Sequence, residues 1–512
     1  MIPTAPPLPQ IDLPATLAEF QRLEHTGQLT PALATQLATA AAAAFLHAYA
    51  DRGEYLGEAI TLLCDMSMLD DPAVSQAGLH GLFPSLIEWL GDAFDPAACL
   101  IYQQLFVQVI QHCRQHPQGA PLDAQLRRFG LVTVHDLLQR AARVRRLQRF
   151  DPKRAGPIKK VFILSRVTLG ADIAVTSVVL AKLKQVCPDA TLLLLGDPKA
   201  EQLFAGDARV CLSPLAYPRG GGLSARLATW LAVVEAIERE AAGLQSHEYL
   251  IVDPDSRLAQ LGLLPVVADE RSYHFFESRS YRAPGLHSLS ELTAHWLNAV
   301  FGATAPIAPY FAPSPANLAW AKRLLTEGRA GTPAFVVSIN FGVGANPRKR
   351  LPDPFEETLV AGLLQRGALV LLDSGGEKEE IERIGRLTAS LQQNGIETMT
   401  AVDATACNAD FADARRARLI VWRGSIGGFG ALIGQSDAYI GYDSACQHLA
   451  AALGVPTIDI FTGFSSPLMP ARWYPHGPGP AQMFVVERGE SLTQPQLKGV
   501  VAQVLAGVAR FR

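Results

Sequence analysis

The sequence predicts an α/β protein in which two strand–helix series follow an all-helical N-terminal segment. Three observations carry this. Residues 13–150 show helical apolar spacing broken by Gly, Pro and Asp, with no strand-like alternation. At Lys160 the pattern changes to short apolar strands alternating with helices, and a second such series begins at Ala334. Between the two lies a stretch with prolines at 306, 309, 313 and 315, which reads as a linker.

Length and composition agree. The chain has 512 residues, enough for two or three domains, and is 49% hydrophobic and 18% charged, which suits sizeable cores. A net charge of −3 points to no nucleic-acid partner. Seven cysteines are scattered without a CxxC pair, which predicts reduced thiols, no structural zinc and a cytoplasmic protein. Residues 1–12 are Pro-rich and lack the basic and apolar regions of a signal peptide. No apolar run reaches the roughly 18 residues that a membrane span needs.

In the helical segment, Ala15–Glu24, Pro31–Tyr49, Leu56–Leu69, Leu79–Trp89, Ala98–Gln111 and Val132–Phe150 read as helices. Basic residues crowd 127–160: Arg127, Arg128, Arg140, Arg143, Arg145, Arg146, Arg149, Lys153, Arg154, Lys159 and Lys160. The run reads either as a solvated helix face with a linker or as a docking surface for an anionic lipid, a glycolipid or an acidic partner. The helical domain is also a candidate for a protein partner or self-association. All motifs with chemical potential lie from Ser165 onward, so this domain is expected to be dispensable for ligand binding.

The first motif follows a predicted strand, Val161–Ser165, and runs Ser165-Arg166-Val167-Thr168-Leu169-Gly170-Ala171-Asp172. It puts Asp172 at a helix start beside the carboxyl end of a strand, where α/β sheets bind ligands. A plain helix-cap aspartate has the same signature. The second motif, Asn340 to Pro352, joins two glycines to three consecutive cations, Arg348, Lys349 and Arg350. Glycines let backbone N–H groups approach a ligand, and the cations can neutralise a diphosphate. A solvated basic turn is the alternative. In the third, Ser374–Glu380, two glycines precede a helix whose first turn is acidic, which the helix dipole alone explains. The fourth is Arg423–Phe429. The fifth, Ser436–Gly463, reads strand–turn–helix–strand. Asp443, Ser444 and His448 gather at the helix N-terminus, with Ser444 and His448 on one face. Asp253-Pro254-Asp255 looks like a metal-binding DxD, but Asp255 reads better as the cap of a helix Ser256–Leu263. No metal site is predicted.

In this order the motifs resemble glycosyltransferase family nine, the ADP-heptose:lipopolysaccharide heptosyltransferases. Asp443-Ser444 followed by His448-Leu449-Ala450 and Gly454-Val455-Pro456 is similar to the family's donor-binding helix. Arg166–Asp172 resembles its opening loop, and Asn340–Pro352 its basic turn. The resemblance covers roughly residues 160–510 and departs from the family at Ala171, Ala445 and Cys446. It implies a GT-B fold: residues 1–153 helical, 158–312 an acceptor-side Rossmann-like domain, 318–490 a donor domain, and 491–512 a helix packing back across the domains. It implies Asp172 as general base and Lys349 as the residue that assists the leaving group. Gly344, Ala345, Arg348, Glu379, Gly424, Ser425, Asp443, Ser444, Ala445 and His448 would bind the donor, with Arg166 and Thr168 on the acceptor side. Glu380 competes with Glu379 for the ribose contact. The implied reaction is inverting, metal-independent transfer of a heptose-like sugar from a nucleotide-diphosphate donor, ADP-linked, with no cofactor. The acceptor would be a glycan, lipopolysaccharide-core or protein hydroxyl. The implied place is the cytoplasm, with peripheral inner-membrane contact through 127–160. A sugar-nucleotide epimerase of the same shape and a non-catalytic binding or scaffold protein remain as alternative classes. The epimerase would convert donor without an acceptor, and the scaffold would bind donor without turnover.

Overall fold

A computed structural model describes residues 12–151, 157–218, 221–328, 335–344, 346–402, 416–487 and 489–512. Helices fill the N-terminal segment, and one device starts several of them. Asp12, Thr30, Asp71 and Asp95 each cap a helix that has Pro in its first two positions. The cap oxygen satisfies a free N–H, and proline fixes φ where no N–H bond is lost. Helices Pro72–His80 and Ala120–Arg128 join those expected from sequence, and the last one is confined to Val134–Val144.

The first α/β half is a five-stranded parallel sheet: β1 Lys160–Leu164, β2 Thr191–Gly196, β3 Val210–Pro214, β4 Tyr249–Asp253 and β5 Tyr273–Phe275, ordered β3-β2-β1-β4-β5. The second half has seven parallel strands: β6 Val336–Asn340, β7 Leu369–Asp373, β8 Thr398–Val402, β9 Leu419–Arg423, β10 Ala438–Tyr442, β11 Thr457–Thr462 and β12 Ala481–Val486. Their order is β12-β11-β10-β6-β7-β9-β8. Both sheets are covered on two faces, so their central strands are continuous apolar runs. This is the GT-B build of two Rossmann-like halves behind a helical domain.

The helical domain is not a separable appendage. One continuous core joins Phe45, Phe83 and Phe106 of the helices to Phe162, Leu164, Leu195 and Ile251 on one face of the first sheet. Trp230, fully buried, stands at that seam with Phe129 at 6.1 Å, and its indole N–H donates to the Pro265 carbonyl at 2.7 Å. Ion pairs fasten the same seam. Arg128 reaches Glu238, Arg140 and Arg143 share Glu270, and Arg145 holds Glu277. Lys159 and Lys160 pair with Glu248 and Glu240, and Arg127 with Asp123 in its own helix. Much of the basic run therefore works inside the molecule. Arg146 and Arg149 remain exposed, and Lys153 and Arg154 lie outside the described residues.

The opposite face of the first sheet, with Val161, Ile163 and Leu194, belongs to a second core that continues into Trp422, Phe429 and Tyr439 of the second half. The C-terminal helix, Gln494–Ala509, does not cross to the first half as expected. Its stripe Leu497, Val501, Val504, Leu505 and Val508 packs on the second sheet's other face with helix Phe355–Gln365. Gly362 admits Leu505 there, since a Cβ would meet its Cδ1 at 2.8 Å. Among the described residues no helix is long and apolar enough to cross a membrane.

The shared seam sets a test. Trp230→Ala should destabilise the protein by about 3–5 kcal/mol, the usual range for emptying a buried aromatic site. Urea unfolding reads this directly, and a loss below about 1 kcal/mol would mean the helical domain rests only loosely on the first sheet.

Candidate functional site

The carboxyl ends of the two sheets face one cleft, and the halves already touch across it. Helix Ala445–Ala452 of the second half abuts the turn Leu169–Ala171 of the first. A Cβ on Gly170 would lie 3.3 Å from the Ala445 Cα and 3.4 Å from the His448 ring, so glycine permits the approach.

Asp172 lies on the first-half side, 1% exposed. Its carboxylate accepts from the Ser165 hydroxyl at 2.7 Å, the Arg166 backbone N–H at 2.8 Å and the Thr176 hydroxyl at 2.7 Å. Burial raises its pKa, while these three bonds and Arg166 act against the rise. A π-helical stretch, Asp172–Thr176, begins at this residue. Val167, a β-branched residue at φ +58, marks the loop as strained. Arg166 is buried behind the cleft, donating to the Pro254 carbonyl at 3.0 Å and to Ser278, and burial lowers its pKa to about 10. Thr168 is exposed at the start of Leu169–Ala171.

The second half contributes a cation held by carboxylates. The Lys349 ammonium pairs with Asp443, whose other oxygen accepts from Gln447 at 2.9 Å. Burial opposes the lysine's charge, but Asp443, Asp92 and Asp459 hold its pKa above the ordinary value. Asp459, on β11, is fully buried with neither oxygen hydrogen-bonded among the described residues. Burial, with Asp443 nearby, pushes its pKa well up. Burial lowers His448 to about 4, so its imidazole is neutral and gives an anion no charge. Ser444 donates to the Asn340 amide oxygen at 3.2 Å, and Asn340 donates to Asp373 at 2.6 Å, which ties together the ends of β10, β6 and β7.

The three consecutive cations have three fates. Arg348 is exposed, Lys349 enters the cleft, and Arg350 is held by Glu356 and Asp353. Gly463, at φ +68, lies so close under this turn that a Cβ would overlap the Arg348 carbonyl at 2.2 Å. Gly344 is exposed at φ +57, and Ala345 lies outside the described residues. Of the two glutamates, Glu380 turns inward and Glu379 outward. One Glu380 oxygen accepts from Val343 and Gly344 N–H at 3.0 and 3.3 Å, the other from Gly376 and Glu377 at 3.0 and 3.4 Å. The reason is helical position: the third residue of a capping box reaches back over the N-terminus, and Glu379 before it faces solvent. Ser425 caps helix Ile426–Ile433, Gly424 is exposed, and the Gly427 N–H donates to Gln202 of the first half at 3.3 Å.

The Asp253-Pro254-Asp255 turn is a correction. Ser256 caps a short turn, Arg257–Ala259, and no helix runs to Leu263. Asp255, at φ +70, instead accepts from Ser278 at 2.8 Å and Arg279 at 2.7 Å. Its left-handed backbone aims the carboxylate away from the following N–H groups. Sequence reasoning also passed over Asp92, Asp373, Gln447 and Asp459. Asp92 comes from the helical domain and gives no local signal.

The two parallel sheets face each other with a cation and a helix N-terminus between them. Residues 274–478 match the model of glycosyltransferase family 9 (heptosyltransferase). The match begins after the Asp172 loop. The fold is also similar to solved structures. One is a family 9 glycosyl transferase from Veillonella parvula DSM 2008, at 14% identity, 70% of this chain, 98% of that chain and a TM-score of 0.48. Another is E. coli ADP-heptose lps heptosyltransferase II, at 14%, 69%, 99% and 0.45. A third is E. coli heptosyltransferase WaaC with ADP, at 16%, 68%, 99% and 0.43. Among curated proteins none matches.

Asp459 gives a test of the site's electrostatics. A carboxyl with a raised folded-state pKa holds its proton more tightly when folded. Stability is therefore lost as pH rises from about 4 toward that higher value. Asp459→Asn should raise the urea midpoint at pH 8 and leave it nearly unchanged at pH 4. An equal effect at both would show that the Asp459 proton is not the cause.

Proposed function

We propose that this protein transfers a heptose-like sugar from a nucleoside-diphosphate donor, ADP-linked, to a hydroxyl of a glycan, lipopolysaccharide core or protein. The observation that carries the reading is the Lys349–Asp443 pair at the N-terminus of helix Ala445–Ala452, inside the matched segment and facing the first half. A departing diphosphate needs positive charge already in place. Lys349, exposed Arg348 and the free N–H groups of that helix supply it, so the reading asks for no metal. Ser444 and His448 flank the phosphates, and Gly344 and Gly424 present exposed backbone to the donor. Direct displacement inverts the anomeric centre, with the acceptor entering from the first-half side past Thr168.

Calorimetry with ADP and adenosine tests the donor site. A charge-assisted phosphate contact contributes about 1.5–3 kcal/mol, so Lys349→Ala should weaken ADP binding about 10- to 100-fold and leave adenosine nearly unchanged. Equal loss for both ligands would remove Lys349 from the phosphate site. Incubation of the wild type with ADP-heptose, with and without acceptor, tests the reaction, for which ADP release should require the acceptor.

A further inference from the structure

A cavity of about 510 Å³ opens between the helical domain and the first sheet. That volume falls in the range of small-ligand sites, about 300–1,000 Å³. It lies beside the edge strand β5, at the amino end, where the chain from Pro265 to Arg271 leads into Tyr273. The cleft is built instead on the carboxyl ends of the strands. Arg128, Arg140 and Arg143 line the cavity from the helical domain and Arg271 from the first half, with Glu270 as the one carboxylate among the described lining residues. Glu270 serves two of these cations, Arg140 and Arg143, each at 2.7 Å. Glu238 and Asp269 hold Arg128 and Arg271 at 2.8 and 2.7 Å from outside the cavity. The wall therefore carries an excess of positive charge.

Depth separates the cations. Arg143, Arg128 and Arg271 are exposed, while the Arg140 side chain is 1% exposed. Arg140 is fixed on three sides. Its Nη1 donates to the Gly262 carbonyl, its Nε faces Glu270, and its guanidinium carbon stands 5.4 Å from the centre of the Tyr273 ring. The Tyr273 hydroxyl donates to Asp253 at 2.6 Å, which holds that ring in place. The Arg140 Nη2 is buried without a hydrogen bond among the described residues. A seam that only fastened two domains would gain nothing by leaving that donor unused. Beside the cations the cavity is apolar, with Phe129, Val144 and Val267 in its wall. Phe129 is itself braced by Trp230 at 6.1 Å.

We propose that this cavity is a binding site for a phosphate ester, with the phosphate among Arg140, Arg143 and Arg271 and its apolar body against Phe129, Val144 and Val267. Guanidinium forks match phosphate oxygens in pairs, and a phosphate has enough acceptors and charge for several of them. A carboxylate offers two oxygens and one charge, a part that Glu270 already plays in the wall. The bound ester would touch the helical domain and the first half together, so it would tighten the seam between them. A ligand that binds only the folded protein stabilises it. Such a site is independent of the glycosyl-transfer reading, because it shares no residue with the cleft.

The test is calorimetry of the full chain with phenyl phosphate, a phosphate monoester on an aromatic body. It should bind about 10-fold or more tightly than inorganic phosphate, since only the ester reaches the apolar wall. It should also raise the thermal midpoint. Arg143→Ala and Arg271→Ala, both at exposed positions, should keep the fold by circular dichroism and each weaken binding about 10-fold. Arg127→Ala, which removes an equal charge outside the cavity, should leave binding unchanged, and so should Lys349→Ala in the cleft. Phosphatidylcholine vesicles with and without phosphatidic acid distinguish the source of the phosphate. Co-sedimentation that needs both phosphatidic acid and Arg271 marks a lipid headgroup, and its absence, with phenyl phosphate bound, marks a soluble ester. Loss of binding with Lys349→Ala but not with Arg271→Ala would move the probe to the cleft and overturn the proposal. An equal loss with Arg127→Ala would reduce it to general charge attraction. A wild type that takes up no phenyl phosphate at about 10 mM, where even weak ligands of this size register, overturns the cavity as a site.

Discussion

The cleft is organised around one lysine. Lys349 is the cation in contact with Asp443, and Asp92 and Asp459 lie near enough to favour its charge. A half-buried ammonium without such neighbours would lose its proton or its place. The carboxylates therefore keep the cation ready before any ligand arrives. They also set the terms of binding, because a diphosphate must share Lys349 with Asp443 or take it over. The raised pKa of Asp459 limits the cost. With its pKa raised by burial, it carries its negative charge less readily than an ordinary carboxylate behind the pair. An anion site that held three ionised carboxylates around one lysine would repel its own ligand.

The helical domain and the first sheet depend on each other in the same way. Phe162 and Leu164 on β1 have one face covered by helices that precede them in the chain. Arg128, Arg140, Arg143 and Arg145 lie along this seam, and their partners Glu238, Glu270 and Glu277 belong to the first half. Several pairs are partly shielded from solvent, and Arg140 is almost fully buried. Such pairs contribute more to fixing orientation than to net stability. The orientation matters because Arg128, Arg140 and Arg143 also line the cavity between this domain and the first half.

What the sequence made legible follows from burial. Val161–Leu164, Leu192–Leu195 and Leu369–Leu372 are covered on both faces and stand out as apolar runs. The edge strands β3 and β12 are partly exposed and mix polar with apolar residues, so they gave no such signal. Motifs on turns after strands were legible because glycines, cations and caps sit at fixed offsets there. The direction of a side chain was not. Glu379 and Glu380 differ only in helical phase, and Asp255 left the helix-cap geometry through its positive φ. The cavity beside β5 was beyond reach, since its walls come from two domains.

The departures at Ala445 and at the Gly170-Ala171 turn meet across the cleft. Ala445 adds a methyl group to the face that meets the first half. That face meets Gly170, where a side chain would press on the Ala445 backbone and the His448 ring. The space that a glycine would open on one side of the cleft is thus open on the other. Ala171 stands next to Gly170 and is 3% exposed. The turn keeps one glycine at the point of closest approach, and the π-helical stretch begins two residues further on, at Asp172. The Asp172 carboxylate accepts from Ser165, Arg166 and Thr176, which fixes the loop that carries the glycine.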